Sequence, residues 1–191
     1  MAQPAVREAS YADLVALPDN VVGEIIDGVL YSQPRPAPKH GVASSRAGAR
    51  INLAFGNRQP SRDGPGGWWI VDEPECAIGP NVVVPDIAGW RRTTMPRLPE
   101  TAQFMITPDW ICEVVSTGTA RKDRMLKLPK YVQAGVGWAW LIDPSARTVE
   151  VFENGGGRWI WVGTYDGDDP VAIAPFAEIE FDIGALWDTG E

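Results

Sequence analysis

The chain has 191 residues, enough to bury a hydrophobic core, and its 45% hydrophobic and 22% charged residues argue against an intrinsically disordered protein. No apolar run approaches the roughly 20 residues of a membrane-spanning helix, and the N-terminal sequence MAQPAVREAS has no signal-peptide core, so we expect one cytoplasmic domain. The net charge of −8 differs from the basic surface of most nucleic-acid binders, and one histidine with two separated cysteines argues against zinc bound by nitrogen and sulfur.

Positive charge is nonetheless clustered locally. Charge runs usually form solvated faces, so these clusters are compatible with a polyanionic partner without requiring one. The three clusters are Arg46, Arg50, Arg58 and Arg62; Arg91, Arg92 and Arg97; and Arg121, Lys122, Arg124, Lys127 and Lys130.

The first elements predicted along the chain are a short helix and a hairpin. Ser10 is a helix N-cap ahead of the sequence YADLVAL, and Pro18 ends that helix. Asp27-Gly28 lies between two β-branched runs in VVGEIIDGVLYSQP. This pair predicts a tight hairpin, because a type I′ turn needs positive φ at both central residues.

A proline-rich link and a longer helix follow. The link contains Pro34, Pro36 and Pro38. The spacing of apolar residues then predicts a helix from about His40 to Phe55. The sequence NRQPSRDGPGG is rich in helix and strand breakers, so we expect a loop there.

Strands dominate the remainder, in the runs WWIVDEPECAI, VVVPDIAGW, DWICEVV, WAWLID, TVEVFE and RWIWVGTY, with a last strand and helical turn in AEIEFDIGALW. One helix interrupts them, from roughly Ala120 to Ala134, with Gly135 as its C-cap. Cys76 and Cys112 lie within apolar runs, and we expect two buried, reduced thiols. The pattern predicts an α+β fold, a mixed or antiparallel sheet with two or three helices and additional hairpins.

Two acidic residues lie in otherwise apolar strand patterns. Asp86 follows VVVP, and strand alternation places Glu113 on one face with Ile111 and Val115. Burial of an ionised carboxylate is costly without a compensating cation, and a divalent metal such as Mg²⁺ would offset two neighbouring carboxylates. The alternative is structural: Asp86 caps a strand end and Glu113 pairs with an arginine.

An ordered set of short motifs runs from about Tyr11 to Trp187. It comprises E-x-x-D-G at Glu24–Gly28, His40, Pro85-Asp86, Glu113-Val114-Val115-Ser116, Lys127-x-x-x-Tyr131, Ala134-Gly135 and Trp140-Leu141-Ile142-Asp143-Pro144. In this order the motifs resemble the Uma-two family of bacterial restriction-endonuclease-like proteins, which have a PD-(D/E)XK nuclease core. The resemblance implies a restriction-endonuclease-like fold and hydrolysis of phosphodiester bonds in DNA.

The resemblance also implies roles for particular residues. Asp86 and Glu113 would hold Mg²⁺ or Mn²⁺, with the carbonyl of Val114 as a further ligand. Lys127 would orient or deprotonate the attacking water, or stabilise charge on the phosphate. The lysine that ordinarily lies two residues after the acid is replaced by Val115, and the resemblance places it instead on the following helix, where Lys127 and Tyr131 are one turn apart.

Pro129 departs from a regular helix two residues after Lys127. Proline removes a backbone donor and collides with the preceding turn unless it lies near a helix start. The helix therefore kinks or begins later than predicted, and Lys122 or Arg124 could then take the place of Lys127.

The resemblance extends to two further residues. Glu24 shares a strand face with Val22 and Ile26 and would be an additional acid near the metal; its alternative is an edge-strand charge. His40 lies near a helix start, where it could contact a phosphate or a water, although a lone histidine is more often structural. His40 and Tyr131 are thus further candidate site residues beside Asp86, Glu113, Lys127 and Glu24.

Aromatic residues suggest an interface. Trp138 and Trp140 share one strand face, and Trp159 and Trp161 share another, so these pairs predict a homodimer through tryptophan-rich strand surfaces. Core packing explains most tryptophans equally well.

Two functions from different classes follow. The first is a Mg²⁺- or Mn²⁺-dependent endonuclease that uses Asp86, Glu113 and Lys127. The second is a non-catalytic, dimeric nuclease-fold module that binds nucleic acid or a protein, favoured by the charge of −8, Val115 and Pro129. A carbohydrate or small-ligand binder is a third reading of the tryptophans. No G-x-G-x-x-G or P-loop pattern indicates an organic cofactor.

Overall fold

The structure is a computed structural model that describes residues 7–34 and 37–188. Within these ranges thirteen strands form three sheets. The strands are β1 Val21–Ile26, β2 Val29–Pro34, β3 Trp68–Asp72, β4 Glu75–Ile78, β5 Asn81–Val83, β6 Ile87–Arg91, β7 Gln103–Phe104, β8 Trp110–Val114, β9 Trp138–Asp143, β10 Thr148–Asn154, β11 Trp159–Tyr165, β12 Val171–Ala172 and β13 Glu180–Phe181.

The largest sheet has six strands in the order β11-β10-β9-β8-β6-β3, and a second sheet has the order β2-β1-β5-β4-β7. Neighbouring strands are antiparallel except for the parallel pairs β8–β9 and β4–β7. A short pair, β12 and β13, completes the described sheets. The α+β class with a mixed sheet is therefore confirmed.

Two runs that looked like single strands are each divided between the two large sheets. WWIVDEPECAI forms β3 and β4, and VVVPDIAGW forms β5 and β6. Each break has a local cause: Glu73 adopts a positive φ of 46°, and Pro85 has no N–H for a ladder hydrogen bond. Asp86 therefore lies at the junction of the two sheets.

The predicted hairpin and the first two helices are present. Asp27 and Gly28 have φ of 51° and 75°, as a type I′ turn requires. Helix α1 (Tyr11–Val15) begins after Ser10, and helix α2 (Pro38–Phe55) begins two residues before the predicted start. Proline suits a first helical turn, where its missing N–H is not needed. Residues 35 and 36 of the proline-rich link lie outside the described residues.

The helix predicted over 120–134 is instead three consecutive segments. These are α3 (Ala120–Lys122), a π-helical turn (Asp123–Lys127) and α4 (Leu128–Gln133). The N–H of Leu128 bonds to the carbonyl of Asp123, five residues earlier. Pro129 accounts for the widening, because in an α-helix its ring would collide with the carbonyl four residues before it. Gly135 ends the helix at a φ of 92°.

Strand β8 separates two hydrophobic clusters. Trp110, Cys112 and Val114 pack with α2 and the C-terminal segment on one face, and Ile111 and Val115 pack with α4 and the second sheet on the other. The alternation predicted for Glu113 is thereby confirmed. Cys76 and Cys112 are free and buried, as expected. No helix in the described residues is long and apolar enough to cross a membrane.

The tryptophan surfaces differ from the prediction. Trp140 is wholly buried and Trp138 is half-buried against the same cluster. Trp159 is half-buried, and its indole N–H donates to the carbonyl of Leu128. Trp161 alone of these four is largely exposed, at 61%. Core packing therefore explains Trp138 and Trp140. Of the two tryptophan surfaces predicted for a dimer, only the exposed indole of Trp161 on β11 is present.

Candidate active site

Asp86 and Glu113 meet at one end of the six-stranded sheet. Asp86 directly precedes β6, whose first residue, Ile87, pairs with Cys112 on β8. The N–H of Val114 donates to Oδ2 of Asp86 at 2.6 Å. This bond fixes the Asp86 carboxylate beside the Glu113–Val114 peptide.

Lys127 is buried beneath these acids, with 1% of its surface exposed. Its Nζ lies 2.7 Å from Oε1 of Glu113 and 2.8 Å from Oε1 of Glu24. It also donates to the carbonyl of Val84 at 3.0 Å. Three acceptors match the three hydrogens of an ammonium group. Glu113 thus pairs with a lysine rather than with an arginine, and Pro129 does not turn Lys127 away.

Tyr131 supports the same carboxylate. Its hydroxyl donates to Oε1 of Glu113 at 2.7 Å. Tyr131 follows Lys127 by four residues, so both side chains leave one face of the helical segment and reach one oxygen. Glu113 is therefore held by two donors from the same element.

Glu24 anchors Lys127 from the second sheet. The N–H of Val84 donates to its Oε1 at 2.9 Å, and Nζ of Lys122 lies 2.5 Å from its Oε2. Burial would raise the pKa of Glu24, but the charges of Lys127 and Lys122 outweigh burial and lower it. Glu24 is thus a buried ion-paired acid and not an edge-strand charge. Arg124 pairs with Glu150 on β10 instead.

His40 reaches the site from the first turns of α2. Its Nε2 lies 3.3 Å from Oδ1 of Asp86, and its side chain is about nine-tenths buried. Burial would lower the pKa of His40, but the hydrogen bond to Asp86 and the charge of that carboxylate raise it. The structure therefore brings together all six residues that the sequence singled out: Glu24, His40, Asp86, Glu113, Lys127 and Tyr131.

Asp123 is a further buried acid that sequence reasoning missed. It lies in the π-helical turn at 3% exposure and is hydrogen-bonded by Thr119. Burial raises its pKa, while the charge of Lys127 opposes the rise. Within the basic run RKDR it resembled a solvated charge, and its spacing of four residues from Lys127 was the available signal.

Acidic groups outnumber basic groups in this cluster. Burial raises the pKa of Glu113 well above its ordinary value, Lys127 opposes that rise, and the neighbouring carboxylates add to it. The four acids are Glu24, Asp86, Glu113 and Asp123, and the basic groups are Lys122, Lys127 and His40. Such an excess favours an additional cation.

A cavity of about 300 Å³ opens beside this cluster. Asp86 and His40 line it, together with Ser116 and Thr119 of the loop after β8. Glu113 and Lys127 are not among its lining residues. Among the described residues, no group of three or more histidine, cysteine or acidic side chains is arranged to hold a metal ion.

Comparison with known proteins identifies the family. A profile described as "Uma2: putative restriction endonuclease" matches residues 11–184. The chain belongs to the Uma2 family. None of the curated proteins compared with this Uma2 chain matches it.

A solved structure supports the assignment. It is a crystal structure of a putative nuclease belonging to DUF820 from Anabaena variabilis ATCC 29413, and the Uma2 chain is similar to it with a TM-score of 0.73 and 25% identity. The match covers 92% of this chain and 96% of the other. Family and fold are therefore those of a nuclease-like protein, which confirms the resemblance seen in the sequence.

Proposed function

We propose that this chain is a divalent-metal-dependent endonuclease that hydrolyses phosphodiester bonds in DNA. The observation that carries the proposal is the convergence of Asp86 and Glu113 at one end of the sheet, each held by hydrogen-bond donors of the protein. Two neighbouring carboxylates fixed in this way, of which Asp86 lines a cavity, suit phosphoryl chemistry better than a purely structural ion pair.

The donor set fits Mg²⁺ or Mn²⁺. Asp86, Glu113 and the carbonyl of Val114 would supply oxygen ligands only, as hard divalent cations prefer. The excess of buried carboxylates gives the ion a further electrostatic reason to bind. When bound, such an ion lowers the pKa of water and offsets negative charge on the phosphate.

Lys127 acts in this proposal as a positioning residue. Its pKa is raised, because Glu113, Glu24 and Asp123 outweigh the effect of burial, so the side chain stays protonated and is unsuited to remove a proton from water. All three of its hydrogens have protein acceptors. Lys127 holds Glu113 directly and holds the segment ahead of Asp86 through the carbonyl of Val84.

His40 is the donor that faces the cavity. Its Nε2 is hydrogen-bonded to Asp86, and a protonated imidazole there would place positive charge beside a phosphate bound in the cavity. Ser116 and Thr119 also line the cavity, and their hydroxyl groups lie 3.2 Å apart. Tyr131 and Glu24 act behind the cavity, where they orient Glu113 and Lys127 respectively.

One observation favours a second function, a non-catalytic nuclease-fold module that binds nucleic acid or a protein. Glu113 and Lys127 are about as buried as core residues, and neither lines the cavity. A binding module would retain such a cluster for structure alone. We also propose that the chain forms a homodimer.

Calorimetric titration of Mn²⁺ separates the two functions. We expect binding by the wild type and none by the Asp86→Asn/Glu113→Gln double variant. The Asp63→Asn/Glu178→Gln variant is the matched control, because it makes the same two chemical changes at exposed residues that do not line the cavity, and it should bind like the wild type.

Cleavage of supercoiled plasmid DNA in Mg²⁺ or Mn²⁺ is the second assay. The wild type and the control variant should nick the plasmid, and the Asp86→Asn/Glu113→Gln variant should not. DNA retention without cleavage by all three proteins would contradict the endonuclease and support the binding module.

A further inference from the structure

Strand β11 is an uncovered edge of the six-stranded sheet. It pairs with β10 on one side, and no described strand lies on its other side. Its residues Ile160, Trp161 and Val162 are 54%, 61% and 41% exposed. A long, apolar edge strand offers unpaired backbone groups to another chain.

The strand lacks most features that protect such edges. Its sequence, WIWVGTY, has neither a charge nor a proline, and its one irregularity is the bulge that adds Val162 opposite β10. Proteins commonly guard edge strands with lysine, proline or very short length. Pairing with another strand would satisfy the backbone groups that this edge leaves open.

Charge identifies the covering strand. Arg158 precedes β11 and Asp166 follows it, both are exposed, and neither side chain has an ion-pair partner among the described residues. A strand with a cation at one end and an anion at the other complements itself when two copies run antiparallel. A β11 strand from a second copy of this chain therefore brings an aspartate to Arg158 and an arginine to Asp166.

We propose that two copies of this chain associate through antiparallel pairing of their β11 strands about a two-fold axis at Val162. This register places Arg158 opposite Asp166 of the partner subunit, and the reverse. It also places each exposed Trp161 against Gly163 of the partner subunit, where the indole covers a residue that has no side chain. The dimer joins two six-stranded sheets and is independent of the nuclease chemistry.

Sedimentation equilibrium tests the association. We expect a concentration-dependent dimer for the wild type and a monomer for Trp161→Lys. Met105→Lys is the matched control, because Met105 is 69% exposed and lies outside β11, so this variant should remain dimeric. A wild-type monomer at several hundred micromolar would overturn the proposal, as would loss of the dimer in the control.

Charge reversal tests the antiparallel direction. Arg158→Asp and Asp166→Arg each create two like-charge contacts across the axis, and we expect each variant to self-associate roughly tenfold more weakly. An equimolar mixture of the two restores both attractive pairs, so a heterodimer should form. Failure of the mixture to associate more tightly than either variant alone would contradict the arrangement.

A disulfide tests the register. In the proposed pairing Val162 faces its own copy, so Val162→Cys should form a dimeric disulfide under mild oxidation. Thr164→Cys, which would face Ile160 of the partner, is the matched control. The native thiols, Cys76 and Cys112, are buried and should not compete. Cross-linking of Val162→Cys no faster than of the control would overturn the register.

Discussion

Lys127 directs all three ammonium hydrogens at protein acceptors, and two of these acceptors are carboxylates from different sheets. The side chain thereby ties β1 to β8 across the interior. The resemblance in the sequence implied that Lys127 acts on the attacking water or on the phosphate. Its contacts instead hold the carboxylates of Glu24 and Glu113 in place.

Replacement of Lys127 should therefore destabilise the protein strongly. Lys127→Met leaves Glu24 and Glu113 buried without their shared cation, and loss of one partner of a buried pair costs about 3–5 kcal/mol. Lys122→Met is the control, because Glu24 keeps Lys127, and we expect a smaller loss of about 1.5–3 kcal/mol. Urea denaturation measures both; similar losses in the two variants would refute this account.

His40 should make stability depend on pH. The pKa of His40 is raised in the folded protein, so its protonation stabilises the fold fully below its unfolded pKa, and this contribution is lost as pH rises through the folded pKa. Because the chain has one histidine, its ring signal in ¹H NMR titrates without ambiguity. We expect a midpoint above the unfolded value in metal-free buffer and a lower midpoint in Asp86→Asn.

At the scale of elements, turns and caps follow local rules that the sequence makes visible. Asp27-Gly28 predicted its hairpin, and Ser10 predicted the start of α1, because each feature depends on residues close in the chain. The π-helical turn was not predictable in the same way. Pro129 indicated that the helix is irregular. Whether the backbone kinks or widens into a π-helical turn depends on packing against distant residues, since both Asp123 and Lys127 are buried.

Two glycines should respond in opposite directions to alanine. Gly28 has a φ of 75°, and a Cβ there would lie 3.0 Å from Cγ of Glu8, so Gly28→Ala should cost about 1 kcal/mol or more. Gly41 lies exposed in α2 with no atom near an added Cβ, so Gly41→Ala should stabilise the protein by about 0.5–1 kcal/mol. Urea midpoints at constant m-value test both signs.

For the whole molecule, sequence motifs predicted which residues meet but not how the sheets divide. Asp86 and Glu113 stood out because charged residues in apolar patterns need partners, and the resemblance to the family implied Lys127. That β3 and β4 belong to different sheets depends on contacts distant in the chain, such as the pairing of β6 with β8. Local periodicity carries no information about such partners.

Metal binding should stabilise the entire fold. An ion that binds the folded protein alone adds about 2.7 kcal/mol at a concentration 100-fold above its Kd. We expect Mn²⁺ to raise the urea midpoint of the wild type and not that of Asp86→Asn/Glu113→Gln, with EDTA reversing the effect. An equal rise in both proteins would show that the ion binds elsewhere.

The two free thiols lie in different halves of the interior. Cys112 belongs to the cluster under α2, and Cys76 to the cluster that contains Tyr131. Burial raises the pKa of Cys76 to about 12 and that of Cys112 well above its ordinary value, so both are unreactive while the protein is closed. The rate at which a thiol reagent labels each cysteine consequently measures how often that half opens. The labelling rates of Cys112 and Cys76 therefore show whether the two hydrophobic clusters, on opposite faces of strand β8, open in one cooperative event or independently.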